Sequence, residues 1–155
     1  MHKPKSLRQA LFDALPQLSA NPERLHMSIE SGNIDARLAA SLSFEKRYTL
    51  NVRVSGFTGE SDALLVPVMA WLRENQPDTF TLEDGRKGGF AFQMDNIDAQ
   101  TTDVTLSLLL TERILVTEAN GALNATYSPE PPLPEPVTRP KALYLNGELI
   151  SEWEA

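Results

Sequence analysis

Between Leu42 and Val54 the chain alternates. Leu42, Phe44, Tyr48, Leu50, Val52 and Val54 hold the even positions, broken only by Lys46. Glu45, Arg47, Thr49, Asn51 and Arg53 hold the odd ones. A period of two sends successive side chains to opposite faces of an extended strand. One face is therefore expected to be buried and the other wet, as in an antiparallel or mixed sheet covered on one side. A strand in a fully buried parallel sheet would be apolar on both faces.

The same logic places the other elements. From Asp103 to Val116, Val104, Leu106, Leu108, Leu110, Ile114 and Val116 share a face, with Thr105, Ser107, Thr111 and Arg113 mostly opposite. Leu25, Met27 and Ile29 alternate with His26, Ser28 and Glu30. Ser31-Gly32-Asn33 reads as a turn into a further strand whose apolar face is Ile34, Ala36, Leu38 and Ala40. Gly56 to Gly59 reads as another turn, and Glu83 to Gly89 as a polar loop before alternating Phe90, Phe92 and Met94. Leu7, Ala10, Leu11, Ala14, Leu15 and Leu18 instead recur at helical spacing. Ser6 with Gln9 fits a capping box, and Pro16 ends the regular part of that helix. Ala63 to Leu72 is apolar nearly all round and too long for a typical strand, which predicts a buried helix with Trp71 in the core. Pro67 either begins or kinks its regular part, and Ser61 or Asp62 is its expected cap. The fold class that follows is α+β, a four- or five-stranded, mostly antiparallel sheet with two helices packed on one face.

Composition changes near Tyr127. Six of the eleven prolines fall between Ser128 and Pro140, a density that favours extended polyproline II. Residues 1–127 are expected to form the folded body, 128–141 a semi-rigid linker, and 142–155 a C-terminal arm. In the arm, Asn146-Gly147 between apolar runs is the preferred pair for a two-residue hairpin turn. An isolated hairpin is marginal in water. Tyr144, Leu145, Leu149, Ile150 and Trp153 are therefore expected to form an assembly contact on a neighbouring subunit, which the extended linker lets the hairpin reach; the alternative is that the arm folds back on its own body.

The net charge of −7 lacks the basic footprint of a nucleic-acid binder, so no sequence-specific nucleic-acid partner is expected. No run approaches a membrane span, and the start lacks a signal core, so the chain is expected to be soluble and unexported with no membrane partner. There is no cysteine, which removes disulfides, thiol catalysis and thiolate metal sites.

Nothing in the pattern calls for a catalytic residue, a cofactor or a metal. The two histidines, His2 and His26, are isolated. No Gly-x-Ser-x-Gly elbow frames a serine. Asp95, Asp98 and Asp103 are the densest acids, but Ile97 and Ala99 occupy positions where a calcium loop needs oxygen. The Glu83–Gly89 segment lacks the Gly-Lys-Ser/Thr ending of a phosphate loop. Arg47 and Arg53, on the wet face of the central strand, are either solvated or part of an assembly contact.

Several segments resemble the tail completion protein R family of contractile-tailed temperate phages. They are Ser6-Leu-Arg-Gln-Ala-Leu with Asn21-Pro-Glu-Arg-Leu25, Ala40 to Asn51, Asp62 to Arg73 with Asn75-Gln-Pro77, and Thr111-Glu-Arg113. The resemblance covers most of the body and stops before the linker. It implies a non-enzymatic virion protein at the head-proximal end of the tail, made in the host cytoplasm, that finishes the tail and prepares it for joining to the head. It further implies a homo-oligomeric ring, sixfold to match a sixfold tube, touching the tail tube and either the sheath or the head connector. A tail assembly chaperone absent from the mature virion, and a phage-encoded hydrolase, are the competing readings.

Overall fold

The computed structural model describes residues 1–36, 41–80, 89–131 and 140–153. Its centre is β2 (Phe44–Thr58), the strand that the alternation marks out. β2 pairs antiparallel with β1 (Leu25–Ala36) on one side and with β4 (Thr101–Ala119) on the other. β3 (Phe90–Asn96) and β5 (Ala122–Ser128) both pair antiparallel with β4. Arg113 and Ile114 are bonded at once to β2 and to β5, so β5 lies on the same edge of β4 as β3, further along. The result is a five-stranded antiparallel sheet in the order β1-β2-β4-β3, with β5 end to end with β3.

Three helices cover one face: α1 (Lys3–Ala14), the short α2 (Pro16–Ala20) and α3 (Asp62–Asn75). The helical stripe is broken at Leu15, whose extended backbone is what a residue before proline prefers. Leu7, Leu11, Leu15 and Leu18 nevertheless all point into the core. There they meet Leu64, Val68 and Leu72 of α3 and, from the sheet, Tyr48, Leu50, Val52, Val54, Val104, Leu106, Leu108 and Leu110. Trp71 is buried, and its indole N–H donates to Ser6 Oγ at 3.0 Å. Ser6 is thus an interior helical residue and not the expected cap. Pro67 sits inside α3 and is buried. Ser61 takes the cap position of α3 without a side-chain bond.

Four local expectations are corrected. Ser31-Gly32-Asn33 is not a turn; β1 runs through it, because a register shift between Ile29 and Ser31 lets the strand keep pairing with β2. Leu38 and Ala40 of the expected further strand lie outside the described residues. Gly56 does not end β2: it occupies an irregularity at φ 64°, held by its N–H donating to Asp103 Oδ1 at 2.8 Å, and pairing resumes at Phe57. Leu42 precedes β2 and is exposed. β5 was not foreseen, although Asn120-Gly121, both at positive φ, is the same turn chemistry that marks the later hairpin. The loop 83–89 lies outside the description except for Gly89, and the linker is described only up to residue 131 and at residues 140–141.

The predicted hairpin is present as β6 (Ala142–Leu145) and β7 (Glu148–Glu152), turning at Asn146 and Gly147 with positive φ. It is seated on its own body. Leu143 is part of the main core, and Leu145 and Trp153 pack against that core. Trp153 closes a groove with Ala10 and Ala14 of α1 and Pro67, Ala70 and Trp71 of α3. An apolar hairpin too small to bury itself takes the nearest apolar groove.

Candidate functional site

The anticipated contact residues fall into two separate groups. Arg47 and Arg53 lie on the uncovered face of the sheet, opposite Thr111 and Thr105 of β4. Six residues along one strand separate them by roughly 20 Å, so they do not form one cationic site. Arg47 also pairs with Glu45 at 3.2 Å across an exposed contact, worth under about 1 kcal/mol. In the hairpin, Tyr144, Leu149 and Ile150 are exposed, with Tyr144 opposite Leu149. Leu145 and Trp153 are half-buried.

Two of the three acids around the β3–β4 turn, Asp98 and Asp103, make structural hydrogen bonds. Asp98 Oδ1 accepts from Gln100 N at 2.7 Å and Thr101 N at 2.8 Å. These bonds hold its carboxyl below the ordinary carboxylate range. Asp103 holds Gly56. Among the described residues no group of acids and histidines is arranged to hold a metal ion. No helix among them is long and apolar enough to cross a membrane.

The densest polar constellation among the described residues contains none of the anticipated contact residues. Glu112 stands on the core-facing side of β4, only 1 % exposed. Its Oε1 accepts from His2 N and Lys3 N, both at 2.7 Å. These are unpaired donors of the first turn of α1, and a carboxylate there also meets the positive end of the helix dipole. Glu112 is therefore the N-terminal cap of α1, delivered from a strand more than a hundred residues away. Lys3 is itself fully buried; its Nζ donates to Gln76 Oε1 at 2.7 Å and to Glu130 Oε1 at 2.9 Å. Gln76, just past α3, accepts from Thr111 N at 3.0 Å and donates to Thr111 Oγ1 at 3.0 Å and Asp78 Oδ1 at 2.6 Å. The His2 ring stacks on Tyr127 with centroids 4.3 Å apart.

The second oxygen of Glu112 faces Lys46 Nζ at 3.8 Å, too long for a hydrogen bond. Tyr48 and Glu112 also face each other, but neither the Tyr48 hydroxyl nor Glu112 Oε2 has a partner in full hydrogen-bond geometry. Burial, and then the Glu112 charge, push the Tyr48 phenol well above its ordinary pKa of 10.0. This knot ties the start of α1, the end of α3, β2, β4 and the segment after β5 at one point. It is a fastening, and its chemistry is hydrogen bonding and charge pairing.

A signal for the knot existed in the sequence. Lys46 interrupts the apolar face of β2, and Glu112 interrupts that of β4. The register places the two directly opposite each other. Opposite charges breaking two otherwise apolar alternations are a mark of a buried pair.

The sequence is similar to known proteins along nearly all of its length. The family described as P2 phage tail completion protein R (GpR) matches residues 1–131. Tail completion protein R of Escherichia phage P2 is 56 % identical over 154 residues, covering 99 % of each chain. The latter match includes the hairpin, which the resemblance in the quoted segments did not reach. No solved structure matches.

Proposed function

We propose, from the premise that this chain belongs to the P2 phage tail completion protein R family, that it is a structural protein that completes the phage tail and prepares it for joining to the head. The finer part of the proposal is its form: a homo-oligomeric ring, sixfold on a sixfold tube, that caps the head-proximal end of the assembled tail. It assembles in the host cytoplasm and stays in the virion. Identity to a protein named for tail completion, over almost the whole of both chains, carries the reading. The site geometry supports it. The strongest polar cluster is a buried fastening, while the exposed apolar residues Tyr144, Leu149 and Ile150 offer contact surface and no chemistry.

Loss of the gene product tests it. Heads are expected to fill with DNA and tails to form but fail to join them, with tails of abnormal length if the ring also stops tube growth. Infectious particles of normal yield in its complete absence would overturn the structural role. Absence of the protein from purified virions would replace the ring with an assembly chaperone.

A further inference from the structure

The helices cover only part of their face of the sheet. Past the N-terminus of α1, the same face continues on the end of β1, the start of β2, the end of β4 and β5. The pairings Phe44 with Ile114, Val116 with Ala125 and Glu118 with Leu123 show that the apolar alternation also continues. Among the described residues nothing covers it here: Ile34 is 63 % exposed and Leu123 61 %, and Phe44, Ile114 and Val116 are only partly shielded. A second apolar surface, without a partner among the described residues, lies on the solvent side of α3. Val66 is 43 % exposed and Met69 39 %, and Phe80 of the following turn extends the patch.

We infer that the solvent side of α3 in one copy of this chain seats on the uncovered end of the sheet in the next. Three observations carry this. Helix on sheet is how the chain already covers the rest of that same face. The two patches are different surfaces, one a helical ridge and one a flat sheet, so their union is head-to-tail and can close into a ring. The charges at their margins are complementary: Arg73 stands one turn from Met69, and Glu118 is directly opposite Leu123 on the apolar side. Among the described residues neither Arg73 nor Glu118 has an ion-pair partner in its own chain. The inference rests on the ring reading above and names its contact.

The test uses two surface variants of the full chain, Met69→Glu and Leu123→Glu. Both positions are exposed, so both variants are expected to melt like wild type. Oligomer mass in solution is read by sedimentation, and tail joining by complementation of a strain lacking the gene product. Wild type is expected to oligomerise and each variant to be weakened on the order of tenfold or more. An equimolar mixture of the two should give dimers, because one intact pairing remains between the unaltered α3 of one and the unaltered sheet end of the other. Arg73→Glu should weaken association, and adding Glu118→Arg should restore it; this pair keeps the test decisive if an apolar-site variant fails to fold. Variants that oligomerise like wild type, or a mixture that stays monomeric, overturn this contact and leave the ring reading standing. A wild-type protein that is monomeric at every concentration overturns both.

Discussion

Replacing Glu112 by alanine removes the acceptor of the N-cap amide His2 N and of the first helical amide of α1, Lys3 N. The bond from Lys3 N is buried, and a buried donor left unpartnered costs about 1–3 kcal/mol, whereas His2 is exposed and its N–H can turn to water. Loss of the favourable dipole interaction adds up to about 2 kcal/mol. Two effects offset this: the first turn can open toward water, and a buried carboxylate no longer needs desolvating. The net expectation is about 2–4 kcal/mol, above the ~1 kcal/mol of an ordinary surface cap because Glu112 is sealed inside. For a chain of this length that is a fall of roughly 5–15 °C in Tm. Glu112→Gln keeps a carbonyl acceptor and should lose about half as much. The assay is thermal melting combined with hydrogen exchange, in which the amides at the start of α1 should be deprotected more than those of β2. An alanine variant melting within about 2 °C of wild type would refute the capping role. A glutamine variant as damaged as alanine would show that the charge, and not the hydrogen-bond acceptor, is what matters.

Three further outcomes are expected. Leu50→Asp puts an unpaired charge among buried side chains and should abolish folding, whereas Asn51→Asp on the open face should cost less than about 1 kcal/mol; equal tolerance in melting experiments would mean that the register is wrong. Tyr48 has a folded pKa above its ordinary value of 10.0, so above about pH 10 the unfolded chain releases the phenol proton while the folded chain keeps it; stability should fall as pH rises past that value, and Tyr48→Phe should flatten the fall in alkaline melting curves. Leu143→Ala should destabilise by about 2–3 kcal/mol, while Tyr144→Ser, one residue along and exposed, should leave Tm unchanged; the reverse order would show that the hairpin is not seated on its own body in solution.

Residue periodicity by itself determined the two central strands β2 and β4, the buried face of each and the two main helical stripes, because alternation and helical spacing are local consequences of backbone geometry; it did not determine β5 or the unbroken course of β1. Asn146-Gly147 likewise determined the hairpin, since the turn requires positive φ that those residues tolerate. Tertiary structure decided what depends on residues far apart in the chain. The register shift in β1 exists because β2 holds it on both sides of Glu30. The capping of α1 by Glu112, the burial of Lys3 against Gln76 and Glu130, and the docking of Leu143 each join segments that have no local relation. Lys46 and Glu112 were visible as interruptions of two patterns, but only the pairing of β2 with β4 turned two apparent faults into neighbours. A period reports which way a side chain points; what it meets there is fixed by packing, and packing decides whether a buried charge is a cost or a fastening.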